Sequence, residues 1–177
     1  MVKWIANFTS QRKTLPFSIN GRKLNGAKRF YGMGTYLNPG NSGFSRIVKS
    51  DYVDKTGLIG VLNRTIDTAK NLTCVSRPRR FGKSYAAQML CAYYDNTCDS
   101  HGLFAKYKIS KDGSYEKNIN QYHVVNLDVT SFVSEARKEG IPLQEVPARI
   151  SAAVRNDVEG QHGELDKGLT LNDRELP

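Results

Sequence analysis

Apolar residues recur at three- and four-residue steps in the stretch after Asp54, and this period is typical of one face of an α-helix. The residues on that face are Leu58, Ile59, Leu62, Ile66 and Ala69. Thr56 stands just before them and suits an N-cap, because its hydroxyl can accept a hydrogen bond from a free backbone amide. We therefore predict a helix from Gly57 to about Ala69, with Asp54 as a second cap or turn residue.

Two further segments have the same helical period. In residues 84–94 the predicted packing face consists of Ala86, Ala87, Leu90, Tyr93 and Tyr94. In residues 143–156 the apolar positions are Leu143, Val146, Ile150 and Val154. Pro147 interrupts this last pattern early, since proline lacks the amide that a helix interior requires. Both segments predict helices.

Two short runs of apolar and β-favouring residues predict buried strands. They are residues 72–75 and residues 124–128, and Asp128 ends the second run. Runs of this kind suit strands that are covered on both faces, as in a parallel sheet. The alternation of strands and helices predicts an α/β fold in which helices cover a parallel sheet, with a site at the carboxyl ends of the strands.

The segment between the first predicted strand and its helix contains the candidate chemistry. It reads Ser76-Arg77-Pro78-Arg79-Arg80-Phe81-Gly82-Lys83-Ser84. The start of a helix has unpaired backbone amides and the positive end of the helix dipole, so a phosphate can bind there. Lys83 would reach and stabilise the outer phosphates, and the Ser84 hydroxyl would be a ligand of Mg²⁺.

Four cations crowd this loop without an acidic neighbour in the sequence: Arg77, Arg79, Arg80 and Lys83. They would repel one another unless an anion were bound between them, which favours a phosphate ligand. Phe81 is predicted to pack under the loop as an anchor in preference to stacking on a base. A solvated basic turn capped by Gly82 is the alternative, because Arg77 stands where the P-loop pattern has its first glycine.

The same loop resembles the signature loop of the bacterial AAA-ATPase-like family, whose members replace the first P-loop glycine with arginine. Three other segments resemble blocks of that family at the expected spacing, namely residues 36–44, 52–59 and 123–131. The resemblance covers roughly residues 33–135. It implies a P-loop NTPase-like three-layer sandwich with a parallel sheet.

The resemblance also implies the ligand and the residues that bind it. ATP with Mg²⁺ would be bound by Arg77, Arg79, Arg80, Phe81, Gly82, Lys83 and Ser84. The block at residues 52–59 would lie beside the nucleotide base. Relatives continue into a later Walker B strand that ends in Asp-Glu, and often into a nuclease-like domain of the PD-(D/E)XK kind.

Asp128 is a candidate metal ligand because it ends the second predicted strand. In the family, however, the main metal acid belongs to a later strand, so Asp128 is read first as a strand-end residue near the site. Residues 131–177 contain no run of apolar residues followed by Asp-Glu. We therefore expect ATP binding with weak or absent hydrolysis, from a truncated chain. Its sheet would be incomplete at the C-terminus, and the exposed edge would allow self-association.

Length and composition add a domain organisation. A chain of 177 residues with 39% hydrophobic content is predicted to form one globular domain. We place the P-loop domain at residues 31–157, after a poorly ordered basic leader at 1–30 and before a polar tail at 158–177. No stretch approaches the roughly 20 apolar residues that cross a bilayer, and none resembles a signal peptide, so a cytoplasmic location without membrane contact is expected.

The net charge of +9 supports one alternative function. Nine lysines and arginines precede Asp51, the first acidic residue, so the charge lies in the N-terminal arm. A nucleic-acid-binding module could use this arm together with the arginine-rich loop to follow a phosphate backbone. A third possibility is a small-molecule phosphotransferase, in which Asp54 or Asp128 would activate the acceptor.

Overall fold

The computed structural model of the chain describes residues 36–76, 78 and 80–161, the last three by their backbone alone. The predicted basic leader (residues 1–30) and residues 162–177 of the predicted polar tail lie outside this part of the chain. Among the described residues, no helix combines the length and the apolar character needed to cross a membrane.

Helices are the regular elements of the described part. In chain order they are α1 (Ser42–Ile47), α2 (Gly57–Asn63), α3 (Lys83–Tyr94), α4 (His101–Phe104), a 3₁₀ helix (Lys108–Lys111), α5 (Tyr115–Asn118), α6 (Val129–Lys138), a second 3₁₀ helix (Leu143–Glu145) and α7 (Val146–Gln161). The chain divides between Asp128 and Val129 into two compact units.

Aromatic side chains fill the core of the first unit around the C-terminal half of α3. Tyr93, Tyr94, Phe44 and Phe104 are fully buried. Phe44 of α1 stacks on Phe104 of α4 with 5.2 Å between ring centroids, and Tyr93 meets Phe104 edge-on at 5.5 Å. Both arrangements are favourable for aromatic rings. The predicted burial of Tyr93 and Tyr94 is confirmed, whereas Leu90 is only half-buried.

Two further contacts fix α3 in this unit. Gly43 of α1 lies so close to Gln88 of α3 that a β-carbon at Gly43 would collide with the glutamine side chain. At the C-terminal end of α3, the buried carboxylate of Asp95 accepts a hydrogen bond from the Gly40 amide. The N-terminal end of the same helix has an exposed Ser84. The core therefore holds one end of α3 and leaves the other end accessible.

The prediction for α2 was correct in its start and wrong in its end. The helix begins at Gly57 as expected but ends at Asn63, and turns continue the chain to Lys70. Ile59, Leu62 and Ile66 are nevertheless buried, whereas Leu58 is half-buried and the prediction that Ala69 shares the buried face is wrong, since Ala69 is exposed. The i→i+4 period therefore identified the buried face but not the point at which the helical hydrogen bonds stop.

The predicted parallel sheet is wrong for the described residues. They contain no strand, and their β-type pairing consists of two isolated bridges, Leu37 with Val125 and Asp95 with Tyr122. Residues 72–76 have irregular structure instead, and Leu72 is 70% exposed. A strand forms only where a neighbouring strand supplies partners for its amides and carbonyls, and the apolar composition of Leu72–Val75 cannot supply that partner.

The second predicted strand, at residues 124–128, pairs with residues near Asn38 instead of joining a sheet. The Asn38 amide donates to the Val124 carbonyl at 2.7 Å, and the Val124 amide donates to the Asn38 side-chain oxygen at 2.9 Å. The bridge between Leu37 and Val125 is antiparallel. A side chain thus replaces one backbone partner beside this bridge. The sheet edge predicted for self-association has no counterpart among the described residues.

The second unit contains α6 and α7. The Ile141 amide donates to the Ala136 carbonyl at 2.8 Å and so closes the end of α6. Arg149 of α7 pairs with Glu139 at 2.7 Å between the guanidinium nitrogen and the carboxylate oxygen. Pro147 is the second residue of α7. It does not interrupt the helix, because the first-turn amides have no partner within a helix and proline is tolerated there.

Candidate functional site

The predicted phosphate loop leads directly into α3. Gly82 is the residue before the helix and has a positive φ of 73°. Its carbonyl accepts the first bond of the helix, from the Ala86 amide at 3.0 Å. A residue with a β-carbon is strained at this φ, which is a physical reason for glycine here. The start of α3 thus provides the backbone amides and the positive dipole end that the sequence predicted.

Arg80, like Gly82, has a positive φ, at 65°. For a non-glycine residue this conformation costs about 1–2 kcal/mol. Arg80 is exposed. The loop therefore holds an exposed cation in a strained backbone conformation, two positions before Gly82. Arg77 and Arg79, which were predicted to bind the same ligand, lie outside the described residues.

Lys83 folds its side chain back over the loop. Its ammonium group donates to the Pro78 carbonyl at 2.8 Å, five positions earlier in the chain. The side chain is half-buried. The lysine that was predicted to reach the phosphates thus lies over the loop that would surround them. The structure therefore brings Gly82, Lys83 and the Pro78 segment together.

A second lysine, Lys55, reaches the same loop from another part of the chain. Its ammonium group donates to the Phe81 carbonyl at 3.2 Å, across 26 positions of sequence. A β-carbon built on Gly82 would lie 2.6 Å from the Lys55 ammonium nitrogen. Lys55 therefore lies directly against the residue that precedes α3.

The backbone around Lys55 is fixed by the side chain of Asp54. One carboxylate oxygen of Asp54 accepts bonds from the Thr56 amide at 2.8 Å and the Thr56 hydroxyl at 2.7 Å. The other accepts the Lys108 amide at 3.2 Å. Asp54 is thus a turn residue, as predicted. Thr56 occupies the N-cap position of α2, but the predicted capping bond to its hydroxyl is wrong, because that hydroxyl accepts the Ile109 amide instead.

These hydrogen bonds also set the charge of Asp54. Partial burial raises the pKa of the Asp54 carboxyl, but the bonds from Thr56 and Lys108 outweigh it, so the pKa lies below its usual value. Asp54 is therefore ionised at neutral pH and directed towards Thr56 and the Lys108 amide. Its neighbour Lys55 extends to the loop instead.

The prediction that Phe81 packs under the loop is wrong. Its side chain is 60% exposed, and Tyr85, one turn further along, is 52% exposed. The two flanking residues with positive φ, Arg80 and Gly82, fix the backbone on either side of Phe81. Sequence reasoning expected burial from the apolar ring, but the core of this unit is built around the opposite end of α3.

The two predicted metal ligands have different surroundings. Ser84 is exposed and occupies the second position of α3, beside Lys83. Asp128 is exposed at the end of the first unit. The segment before Asp128 is bonded to Tyr36, whose carbonyl accepts from the Asn126 amide at 2.8 Å. Ser84 thus belongs to the loop site, and the role of Asp128 stays a prediction.

Taken together, these residues form a cationic site at the start of a helix. Lys55 and Lys83 converge on the loop, and Arg80 adds a third positive charge within it. The sequence predicted Lys83 and Arg80 but missed Lys55. The sequence identified residues 52–59 as a family block, but a contact across 26 positions leaves no local signal in composition or spacing. Such a site suits a multiply charged anion.

Comparison with known proteins gives one finding. A family model described as "Predicted AAA-ATPase" matches residues 39–159. This range is more than half of the 177 residues, and it contains Lys55, the loop and Asp128. Searches among curated proteins and among solved structures gave no match.

Proposed function

Since the chain belongs to this predicted AAA-ATPase family, we propose that it binds ATP with Mg²⁺ at the loop before α3. The observation that carries the proposal is the convergence of Lys55 and Lys83 on the loop that Gly82 connects to the helix. A cation is unfavourable near the positive end of a helix dipole. An anion bound beside Lys55 and Lys83 would relieve this repulsion. A triphosphate is an anion of suitable charge.

The donors in this segment fit the phosphates of a nucleotide. Glycine at Gly82 allows a ligand to approach the backbone closely, and the first amides of α3 point out of the helix. Lys83 and Arg80 would bind phosphate oxygens, and Arg77 and Arg79 are assigned the same role by their place in the motif. These groups are hydrogen-bond donors, which is the complement that phosphate oxygens require.

Mg²⁺ would be bound together with the phosphates. Ser84 offers a hydroxyl oxygen next to Lys83, which suits a hard cation that prefers oxygen ligands. The metal would neutralise part of the triphosphate charge when bound. Asp128 is proposed as a further oxygen ligand, acting directly or through water.

Phe81 is proposed to contact the nucleotide base. Its ring is 60% exposed and adjoins Gly82, so stacking on a base would bury apolar surface that is otherwise in water. Ring stacking tolerates several bases. This contact is therefore expected to add affinity rather than to select adenine.

For these 177 residues we propose binding with little hydrolysis. Hydrolysis in this class of site needs a group that positions the attacking water, and the expected Asp-Glu pair does not occur in residues 131–177. Arg80, Lys83 and the helix amides would hold the phosphates. A partner that supplies an acidic residue would raise the rate.

Titration with MgATP tests the proposed function. Fluorescent ATP is added to the purified chain with and without Mg²⁺, beside Lys83→Ala and the exposed control Lys49→Ala. Saturable binding that falls at least about tenfold in Lys83→Ala but not in the control supports it, since one charge-assisted phosphate contact contributes on this scale. Circular dichroism confirms that all three proteins fold.

The proposal is overturned if the wild-type protein folds but does not bind ATP. The same samples would then be titrated with single-stranded and duplex DNA at several salt concentrations. Binding that falls steeply with salt and ignores Lys83→Ala would favour a nucleic-acid module that uses the basic residues before Asp51. A phosphate-release assay on the wild type separately measures hydrolysis.

A further inference from the structure

We infer that Lys55 is a second phosphate-binding lysine, which acts beside Lys83 although it comes from a different segment. The inference rests on the proposed nucleotide site and adds a residue that the loop motif does not contain. Its basis is the 3.2 Å bond from the Lys55 ammonium to the Phe81 carbonyl and the close approach of the same nitrogen to Gly82. Phosphates bound over Gly82 would therefore lie within reach of Lys55.

The surrounding charges favour an anion at this place. Lys55 meets the first residues before α3, where the helix dipole is positive and where Lys83 and Arg80 already lie. A cation in that place is unfavourable by itself. The nearest carboxylate in sequence, Asp54, faces Thr56 and the amide of Lys108. A bound phosphate would supply the negative charge.

The backbone on either side of Lys55 is fixed by hydrogen bonds, which favours a role for Lys55 in phosphate binding over a chance approach to the loop. Asp54 fixes the backbone on one side, and on the other Thr56 is fully buried, with its hydroxyl accepting the Ile109 amide at 3.3 Å. The Lys55 amide donates to the Tyr52 hydroxyl at 3.2 Å. Lys55 itself is exposed, and among the bonds of the described residues its ammonium has one hydrogen bond to the protein, at the Phe81 carbonyl. A short rotation would redirect its ammonium, which has three donors, from a carbonyl to phosphate oxygens.

A purely structural role predicts different behaviour. If Lys55 only braced the Phe81 carbonyl, its loss would change the stability or order of the loop but not the number of ionic contacts to the ligand. A phosphate-binding lysine, in contrast, contributes to the salt dependence of binding, because its contact with the anion is screened by added ions. The salt dependence of the dissociation constant therefore separates the two roles.

The test compares four variants with the wild type in the MgATP titration at several NaCl concentrations. Lys55→Met removes the charge at nearly constant length, Lys55→Arg keeps the charge, and Lys49→Met removes one charge from an exposed lysine two residues after α1. Thermal unfolding of each protein without ligand checks the fold. Lys83→Ala is included to report on the site itself.

The expected result is an affinity for MgATP about tenfold or more lower in Lys55→Met, with a shallower salt dependence, as befits the loss of one charge-assisted contact. Lys55→Arg should stay within about threefold of the wild type because it retains the charge. Lys49→Met should stay within about twofold, because Lys49 is exposed and belongs to neither the loop nor the Lys55 segment, and an exposed charge is largely screened by salt.

Three results would overturn the inference. If Lys55→Met binds like the wild type while Lys83→Ala does not, Lys55 has no role in binding and the proposed function stands. If Lys55→Arg is as weak as Lys55→Met, or if the salt dependence is unchanged in both, the positive charge is not what the ligand contacts. If the wild type itself does not bind MgATP, the proposed function and the inference fail together.

Discussion

The carboxylate of Asp95 accepts a 2.6 Å hydrogen bond from the backbone amide of Gly40, 55 positions earlier in the chain. Its other oxygen accepts the Thr97 amide at 2.8 Å and the Thr97 hydroxyl at 2.6 Å. Asp95 is fully buried. One side chain thus joins the end of α3 to residues 38–41, and it satisfies the buried Gly40 amide on one side and the Thr97 donors on the other.

We expect Asp95→Asn to destabilise the protein by about 2–3 kcal/mol. The NH₂ group of asparagine would replace one of the two carboxylate oxygens and leave a buried donor unsatisfied. Urea denaturation followed by circular dichroism measures this loss. Asp51→Asn, at an exposed position, is the control. A loss under about 0.5 kcal/mol, the size of ordinary surface effects, would contradict the structural role of Asp95.

Local patterns predicted those parts of the fold that depend on local interactions. Helical spacing identified α3 to within one residue and located the start of α2, since both are set by hydrogen bonds between neighbours in sequence. Leu72–Val75 has a composition that suits a strand. Whether it forms one depends on a partner elsewhere in the chain, which composition does not encode.

The candidate site divides in the same way. Gly82, Lys83 and Ser84 were found because one contiguous motif contains them. Lys55 was missed because its contact with Phe81 is a tertiary contact between segments 26 positions apart. The exposure of Phe81 was also missed, since an apolar residue gives no sign of which end of a helix the core will cover.

Gly82→Ala is expected to destabilise the protein by about 1–2 kcal/mol, because alanine is strained at a φ of 73°. The added β-carbon would also displace the Lys55 ammonium, so MgATP affinity should fall as well. Thermal denaturation and the MgATP titration measure the two effects.

Gly102→Ala is the matched control for this change. A β-carbon at Gly102 would meet nothing within 4 Å, and the residue lies in α4. Alanine there should stabilise the protein by about 0.5–1 kcal/mol, since glycine is the poorer helix residue. Changes of the same sign at Gly82 and Gly102 would contradict the left-handed conformation of Gly82.

Arg80→Asn is expected to weaken MgATP binding about tenfold without loss of stability. Asparagine tolerates the positive φ at this position better than most residues, so the loop conformation is retained while the charge is removed. Isothermal titration calorimetry measures the affinity, and a thermal melt measures the stability. A fall in melting temperature together with affinity would show that the arginine side chain itself supports the loop.

The stability contributed by Asp54 should depend on pH. Because its native pKa lies below the usual value, the contribution is complete above the ordinary aspartate pKa and is lost as the pH falls below it, through the native pKa. Asp54→Ala should therefore lower the free energy of unfolding by about 1 kcal/mol at neutral pH, as the loss of a capping side chain does, and by less near pH 2. Denaturation curves at several pH values test this.

Asp54→Asn separates charge from hydrogen bonding at the same position. Its side-chain oxygen can still accept from the amide and hydroxyl of Thr56, so a smaller loss is expected at neutral pH. The loss should also vary little with pH, because asparagine does not titrate. A loss in Asp54→Ala that stays constant from neutral pH to about pH 2 would contradict the lowered native pKa.

The exposed segment before the loop also provides a natural attachment point for a chemical label. Cys74 is exposed there, whereas burial, together with the Asp95 charge, raises the pKa of the Cys91 thiol to about 12. Burial raises the pKa of Cys98 too. Thiol reagents act on the thiolate, so a maleimide dye at neutral pH should modify Cys74 first. A fluorophore could then be attached beside the loop without any engineered mutation.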